Sequence, residues 1–165
     1  MYKFNENNTD HISIRLWFQI WEKQVQNSDF KKAKNLFANN VISFGTWMNV
    51  VEGLNKLYSN QWKNIWPTIS DFKFLTNTLY IQISPDRLLA NSILVWESIG
   101  YKKNGSSFER NGRATVTLMR SDLDNSWKGI HTHFFSLNRG VPQESFGKKN
   151  FLYIKLLKYS VNINL

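Results

Sequence analysis

A chain of 165 residues, 42% apolar and 15% aromatic, is long enough to bury one core and has the length of one ordinary domain. Its 21 Lys and Arg exceed its 12 Asp and Glu to give a net charge of +9, which favours anionic partners. The basic residues are scattered or fall in short clusters such as Lys31, Lys32 and Lys34, so a nucleic-acid partner is not expected. The lack of cysteine excludes disulfides, thiolate metal sites and cysteine nucleophiles, and no stretch reaches the roughly 18 apolar residues of a membrane span.

Residues 1–10 are polar and Asn-rich, without the basic start and apolar stretch of a secretory signal, which predicts a cytoplasmic protein. Over residues 10–26, Ile14, Trp17, Phe18, Trp21 and Val25 recur at steps of three and four behind Asp10 as N-cap, the pattern of an amphipathic helix whose aromatic face meets a sheet. A second short helix, capped by Ser28, buries Phe30, Ala33 and Phe37 and ends at Asn39 and Asn40. Residues 41–44 read as a short strand. A third helix over residues 51–66 carries Leu54, Leu57, Tyr58, Gln61, Trp62 and Ile65 and stops at Pro67.

Beyond Pro67 the pattern changes to extended runs, over residues 72–83, 88–101, 108–120 and 127–137. The connecting turns, Ser84-Pro85-Asp86, Asn104-Gly105 and residues 122–125, are short enough to join antiparallel neighbours, and Asn-Gly is a strong hairpin signal. Four long strands in a meander twist and curl, so helices laid on one side can enclose a cavity. Residues 1–147 are expected to form the domain, and residues 148–165, rich in Lys, Asn, Tyr, Leu and Ile, a C-terminal tail that is docked or disordered.

The residues Asp29-Phe30, Ile42-Ser43-Phe44, Val51-Glu52-Gly53-Leu54, Tyr58 and Trp62, followed by Trp127 and His131-Thr132-His133, resemble the association domain of calcium/calmodulin-dependent protein kinase II. They also resemble the SnoaL-like branch of the same nuclear transport factor 2-like superfamily, over residues 29–139. The resemblance implies an α+β fold: a cone-shaped, cystatin-like α+β barrel with three N-terminal helices on a curved antiparallel sheet enclosing a pocket. It also implies subunits that pair through the outer face of the sheet. Family members include isomerases, hydrolases, cyclases and pure binding or assembly domains, so fold does not decide activity. Where the family often continues His-x-His-x-Ser-Gly, this chain has His133-Phe134-Phe135-Ser136, and no role passes to Ser136.

His131 and His133 stand two apart on the last strand, so they share a face, opposite Ile130, Thr132 and Phe134. They could bind an anion or transfer protons; a metal site is not expected, since the remaining His11 lies in no motif with them. Arg113 is a candidate carboxylate clamp, with a surface pair to Glu97 or Glu109 as its alternative. Arg110 and Arg120 share the other face with Ala114, Val116 and Leu118, and parity alone leaves open which face holds the pocket.

Trp47, Trp62, Trp66 and Trp96 are expected to supply the apolar lining of the pocket, joined by Tyr58 as a donor, with Trp47 and Trp62 placed near its mouth by the resemblance. The expected ligand site is therefore Trp47, Tyr58, Trp62, Trp96, Arg113, His131 and His133. Candidate bases for catalysis are His131, His133 and Glu97. No phosphate loop, nucleophile elbow or zinc spacing is present, and no cofactor is expected. These residues predict a domain that binds a small, partly apolar, anionic molecule and dimerises through its sheet. The alternatives are a proton-transfer enzyme (isomerase, dehydratase or hydrolase) using a pocket His, or a homo-oligomeric assembly module.

Overall fold

The computed structural model describes residues 4–137 apart from Glu6 and Trp47; the expected boundary at residue 147 and the tail beyond it lie outside the described residues. Helix α1 (Asn8–Gln26) starts one turn earlier than its apolar periodicity implies, because the Asn7 side chain caps it by accepting from the Asp10 N–H at 3.0 Å. This frees the Asp10 carboxylate for another task. Ile14, Trp17, Phe18, Trp21 and Val25 are all buried on one face, as expected. Short α2 (Phe30–Lys34) is capped by Asp29, whose carboxylate accepts from the Lys32 N–H, while Ser28 takes a left-handed φ of 49° just before it. Strand β1 (Phe37–Phe44) then begins at Phe37, so Asn39 and Asn40 lie in a strand and do not end a helix.

After β2 (Val51–Glu52) the third helix is irregular. One α turn, α3 (Leu54–Lys56), opens into a π-helical segment (Leu57–Trp62), closes into α4 (Lys63–Ile65) and ends in a 3-10 turn (Trp66–Thr68) at Pro67. The meander follows as β3 (Ile69–Ile83), β4 (Leu89–Tyr101), β5 (Ser107–Met119) and β6 (Lys128–Ser136), within a few residues of the expected strands.

Among the described residues these strands form one sheet in the order β2-β1-β6-β5-β4-β3. All pairings are antiparallel except β1 with β6, which run parallel, so the first and last of the described strands are neighbours. Register shifts within β3 and at Gly129 to His131 bend the sheet toward the helices. Among the described residues it remains open, with β2 and β3 as its edge strands, so the expected barrel is a curved but unclosed cone. The core is a mesh of rings: Trp17 and Trp21 meet Phe37 edge-on at 5.4 and 5.0 Å, and Phe18 and Trp21 meet Phe74 at 5.1 Å each.

Helix α1 also covers the β3 edge. Arg15 and Gln26 donate to the Thr76 and Phe72 carbonyls, and the Glu22 carboxylate accepts the Phe74 N–H, each at 2.7 Å. Among the described residues no helix is long and apolar enough to cross a membrane.

Candidate functional site

Side chains alternate across a strand, so each sheet strand offers one set to the helices and one to the outside. On β5 the inward set is Gly112, Ala114, Val116 and Leu118, all buried; the outward set is Arg113, Thr115 and Thr117. Apolar parity decides the question that position along the strand left open. The inward face is the one that ends in Arg110 and Arg120, and the outward face is the one that carries Arg113.

Between α1, the third helix and this inward face lies a small cavity of about 50 Å³. That is room for three or four waters, so a larger molecule must reach out through the cavity's open side. Trp21 and Val25 wall it from α1, Gln61, Trp62, Ile65 and Trp66 from the third helix, and Phe72, Trp96, Arg110, Thr132 and Phe134 from the sheet. Trp62 stacks on Trp66 at 4.8 Å, and Phe72 on Trp96 at 6.2 Å, so the walls are flat aromatic faces.

Arg110 supplies the charge. Its guanidinium lies 5.5 Å from the Trp96 ring centre and donates to Ser98 Oγ at 3.3 Å. Its stem runs over Gly100, where a Cβ would come within 2.6 Å of Arg110 Cδ. Burial pushes the guanidinium below its usual pKa, though an arginine stays charged in water. Arg110 takes part in none of the ion pairs among the described residues, which join Asp29 to Lys32 and Asp10 to Arg87 and Arg120. The Trp21 indole N–H is likewise buried with no acceptor among the described residues. No Asp, Glu or His belongs to the described cavity wall. The site thus offers flat apolar faces, one cation and spare donors.

The residues expected from sequence divide between places. Trp62 and Trp96 line the cavity. Tyr58, on the π-helical segment, packs on Phe30 at 5.3 Å under the Lys34 ammonium and is not part of the wall. Trp47 lies outside the described residues. Arg113, His131 and His133 are on the outer face: Arg113 lies over the Phe135 ring, His131 Nδ1 is 3.0 Å from the Ile42 carbonyl, and both imidazoles meet Phe44 edge-on. The structure therefore does not bring them to the tryptophans, because the apolar parity of β5 and β6 turns Thr132 and Phe134 inward. Ile130 is the extra residue of a bulge between Gly129 and His131 and borders an outer depression with Ile42 and Met119, contrary to its expected place beside Thr132. Glu97 also faces outward, opposite Lys73 and Asn111 in the sheet register.

Sequence reasoning missed Arg110, Gln61 and Thr132 as wall residues. The signal for Arg110 was present, since an arginine ending an otherwise apolar strand face is the misplaced charge that a pocket explains.

No family model and no curated protein matches the chain. Solved structures do match. A Xanthomonas campestris protein assigned as a calcium/calmodulin-dependent protein kinase II association domain superposes with a TM-score of 0.66 at 17% identity, over 84% of this chain and 96% of its own. A nuclear transport factor 2-like superfamily protein from Salmonella enterica gives 0.67 at 16% identity, over 82% and 96%. A Streptomyces avermitilis protein described as a dehydratase of the same fold family gives 0.66 at 15% identity, over 79% and 98%. This chain has the nuclear transport factor 2-like, cystatin-like fold of these proteins.

Proposed function

We propose that the protein binds a small, flat, anionic molecule in the cavity beneath the sheet, with the Arg110 guanidinium holding its carboxylate and the rings of Trp62 and Trp96 holding its apolar body. The observation that carries this reading is Arg110 itself: a guanidinium drawn partly out of water beside aromatic walls, outside every ion pair of the described residues. A half-buried cation without a carboxylate is costly, and an anionic ligand offsets that cost. The described cavity wall holds no histidine, which favours binding over proton transfer by a pocket histidine.

The test is calorimetric titration with benzoate and with benzyl alcohol, its neutral counterpart. The expected result is binding of benzoate alone, weakened at least tenfold in Arg110→Met, as loss of a charge-assisted hydrogen bond requires. Benzoate binding that is absent, or that ignores Arg110→Met, would overturn the reading.

A second reading concerns the outer face. Phe44, Ile42, Ile93 and Phe135 are 41%, 45%, 41% and 50% exposed there, an apolar band on the face through which the resemblance implies pairing. We infer that a second copy of the chain covers it. The Xanthomonas campestris protein, assigned as an association domain, supports this reading by its fold.

A further inference from the structure

We infer that Gln61 determines the specificity of the cavity by donating from Nε2 to a second oxygen of the ligand, which makes the ligand a hydroxy- or oxo-substituted carboxylic acid on a flat apolar frame. This rests on the binding reading above and extends it from the anion to the other end of the molecule.

Gln61 sits in the π-helical segment, where the widened turn carries it and Trp62 together into the cavity wall. Behind it is a buried pair of hydroxyls, Ser43 Oγ and Thr132 Oγ1, 2.7 Å apart and 0% and 2% exposed. Two hydroxyls that close together share one hydrogen, so the other is left to point elsewhere. If Thr132 donates to Ser43, the Ser43 hydrogen turns to Gln61 Oε1, a long contact of 3.5 Å. In that arrangement Oε1 is the end of the carboxamide that faces the hydroxyls. Nε2 is the other end, and it has no acceptor among the described residues.

Gly45 leaves the room that the carboxamide occupies. A Cβ at position 45 would lie 2.3 Å from Gln61 Nε2 and 2.4 Å from Cδ, so any larger residue must displace the amide. Arg110 and Gln61 belong to different elements of the same wall, β5 and the third helix, and both are donors. A molecule that carries a carboxylate and a further oxygen on its frame can satisfy both. Arg110 suits the charged one and Gln61 suits a neutral oxygen, because an amide donor matches a hydroxyl or carbonyl without requiring charge.

The experiment measures the dissociation constants of benzoate, 3-hydroxybenzoate and 4-hydroxybenzoate for the wild-type chain, Gln61→Met and Gly45→Ala, with each variant's thermal midpoint recorded to show that it is folded. One hydroxybenzoate is expected to bind about five- to tenfold more tightly than benzoate, the contribution of one neutral hydrogen bond. Gln61→Met should erase that ratio, and Gly45→Ala should reduce it by displacing the amide. If benzoate binds and neither hydroxybenzoate gains, or if the gain survives Gln61→Met, this inference is wrong while the Arg110 reading stands. If none of the three acids binds, the Arg110 reading fails and this one falls with it.

Discussion

Asp10 Oδ1 lies 2.8 Å from Arg120 Nη2, joining the first turn of α1 to the end of β5 across 110 positions of chain, with both side chains buried. Arg87, in the turn between β3 and β4, adds a second contact at 2.6 Å to Asp10 Oδ2. The Arg120 guanidinium also lies over the Trp127 ring at 4.3 Å and donates to the Arg87 carbonyl. One carboxylate thus ties a helix, a hairpin turn and a strand end together.

Removing that carboxylate leaves Arg120 buried and uncompensated. Asp10→Ala is expected to destabilise the fold by about 3 to 5 kcal/mol, read from urea unfolding at pH 7. Burial alone would raise the Asp10 pKa, but the hydrogen bonds and charges of Arg87 and Arg120 outweigh it and hold the carboxyl below its ordinary 3.8. A lowered folded-state pKa contributes stability that is present above the unfolded value and lost as pH falls through the folded one. Wild-type stability should therefore fall more steeply than that of Asp10→Ala below about pH 4. Parallel acid curves for the two proteins would refute the assignment.

The edge of β3 gives a second expectation. Glu22→Ala strips the acceptor from the Phe74 N–H and uncovers part of a strand edge that α1 otherwise masks. A loss of about 1 to 2 kcal/mol is expected, together with faster aggregation on warming, followed by light scattering. Unchanged stability with unchanged aggregation would mean that the edge is protected by shape alone.

The outer face gives a third. Ile93 ends the register row that runs from Phe44 through His133 and Thr115, at the β4 side of the apolar band. If a second copy covers this band, Ile93→Arg places a charge in each half of the interface and should convert a dimer to a monomer in sedimentation equilibrium. Because Ile93 is exposed in the single chain, the monomer's own fold should survive. A wild-type chain that sediments as a monomer would remove the pairing reading.

Much of this architecture is legible in the chain because it rests on local periodicity. The face of α1 follows from the spacing of Ile14, Trp17, Phe18, Trp21 and Val25, and the hairpin after β4 from Asn104-Gly105, where Gly105 takes a φ of 83°. Other features depend on partners distant in sequence. The start of β1 at Phe37 reflects its place against Trp17, Trp21 and Trp62, which outweighs the helical reading of the preceding residues. The bulge at Ile130 exists only in relation to Thr117 and Leu118 on β5. The candidate site divided for a similar reason. His131, His133 and Arg113 attract attention as chemistry, but strand parity couples each to its neighbours, and Thr132, Phe134 and Ala114 are the residues the core requires. The face was written in the apolar alternation of β5, not in its charged residues.

The parallel pairing of β1 with β6 has a consequence for how the chain comes into being. Ser43 and Thr132, hydrogen-bonded across that seam, are 89 residues apart, so a ribosome has finished the first strand long before it makes the second. Until then β1 has β2 as its one strand neighbour, and the Phe37 ring waits under α1 with one flank open. The meander of β3, β4 and β5 can assemble from adjacent segments, but the seam must close a long loop against its entropy. The cavity wall that includes Thr132 and Phe134 is consequently among the last parts of the domain to take shape, and a ligand that fits it would act on the final step of folding as well as on the finished protein.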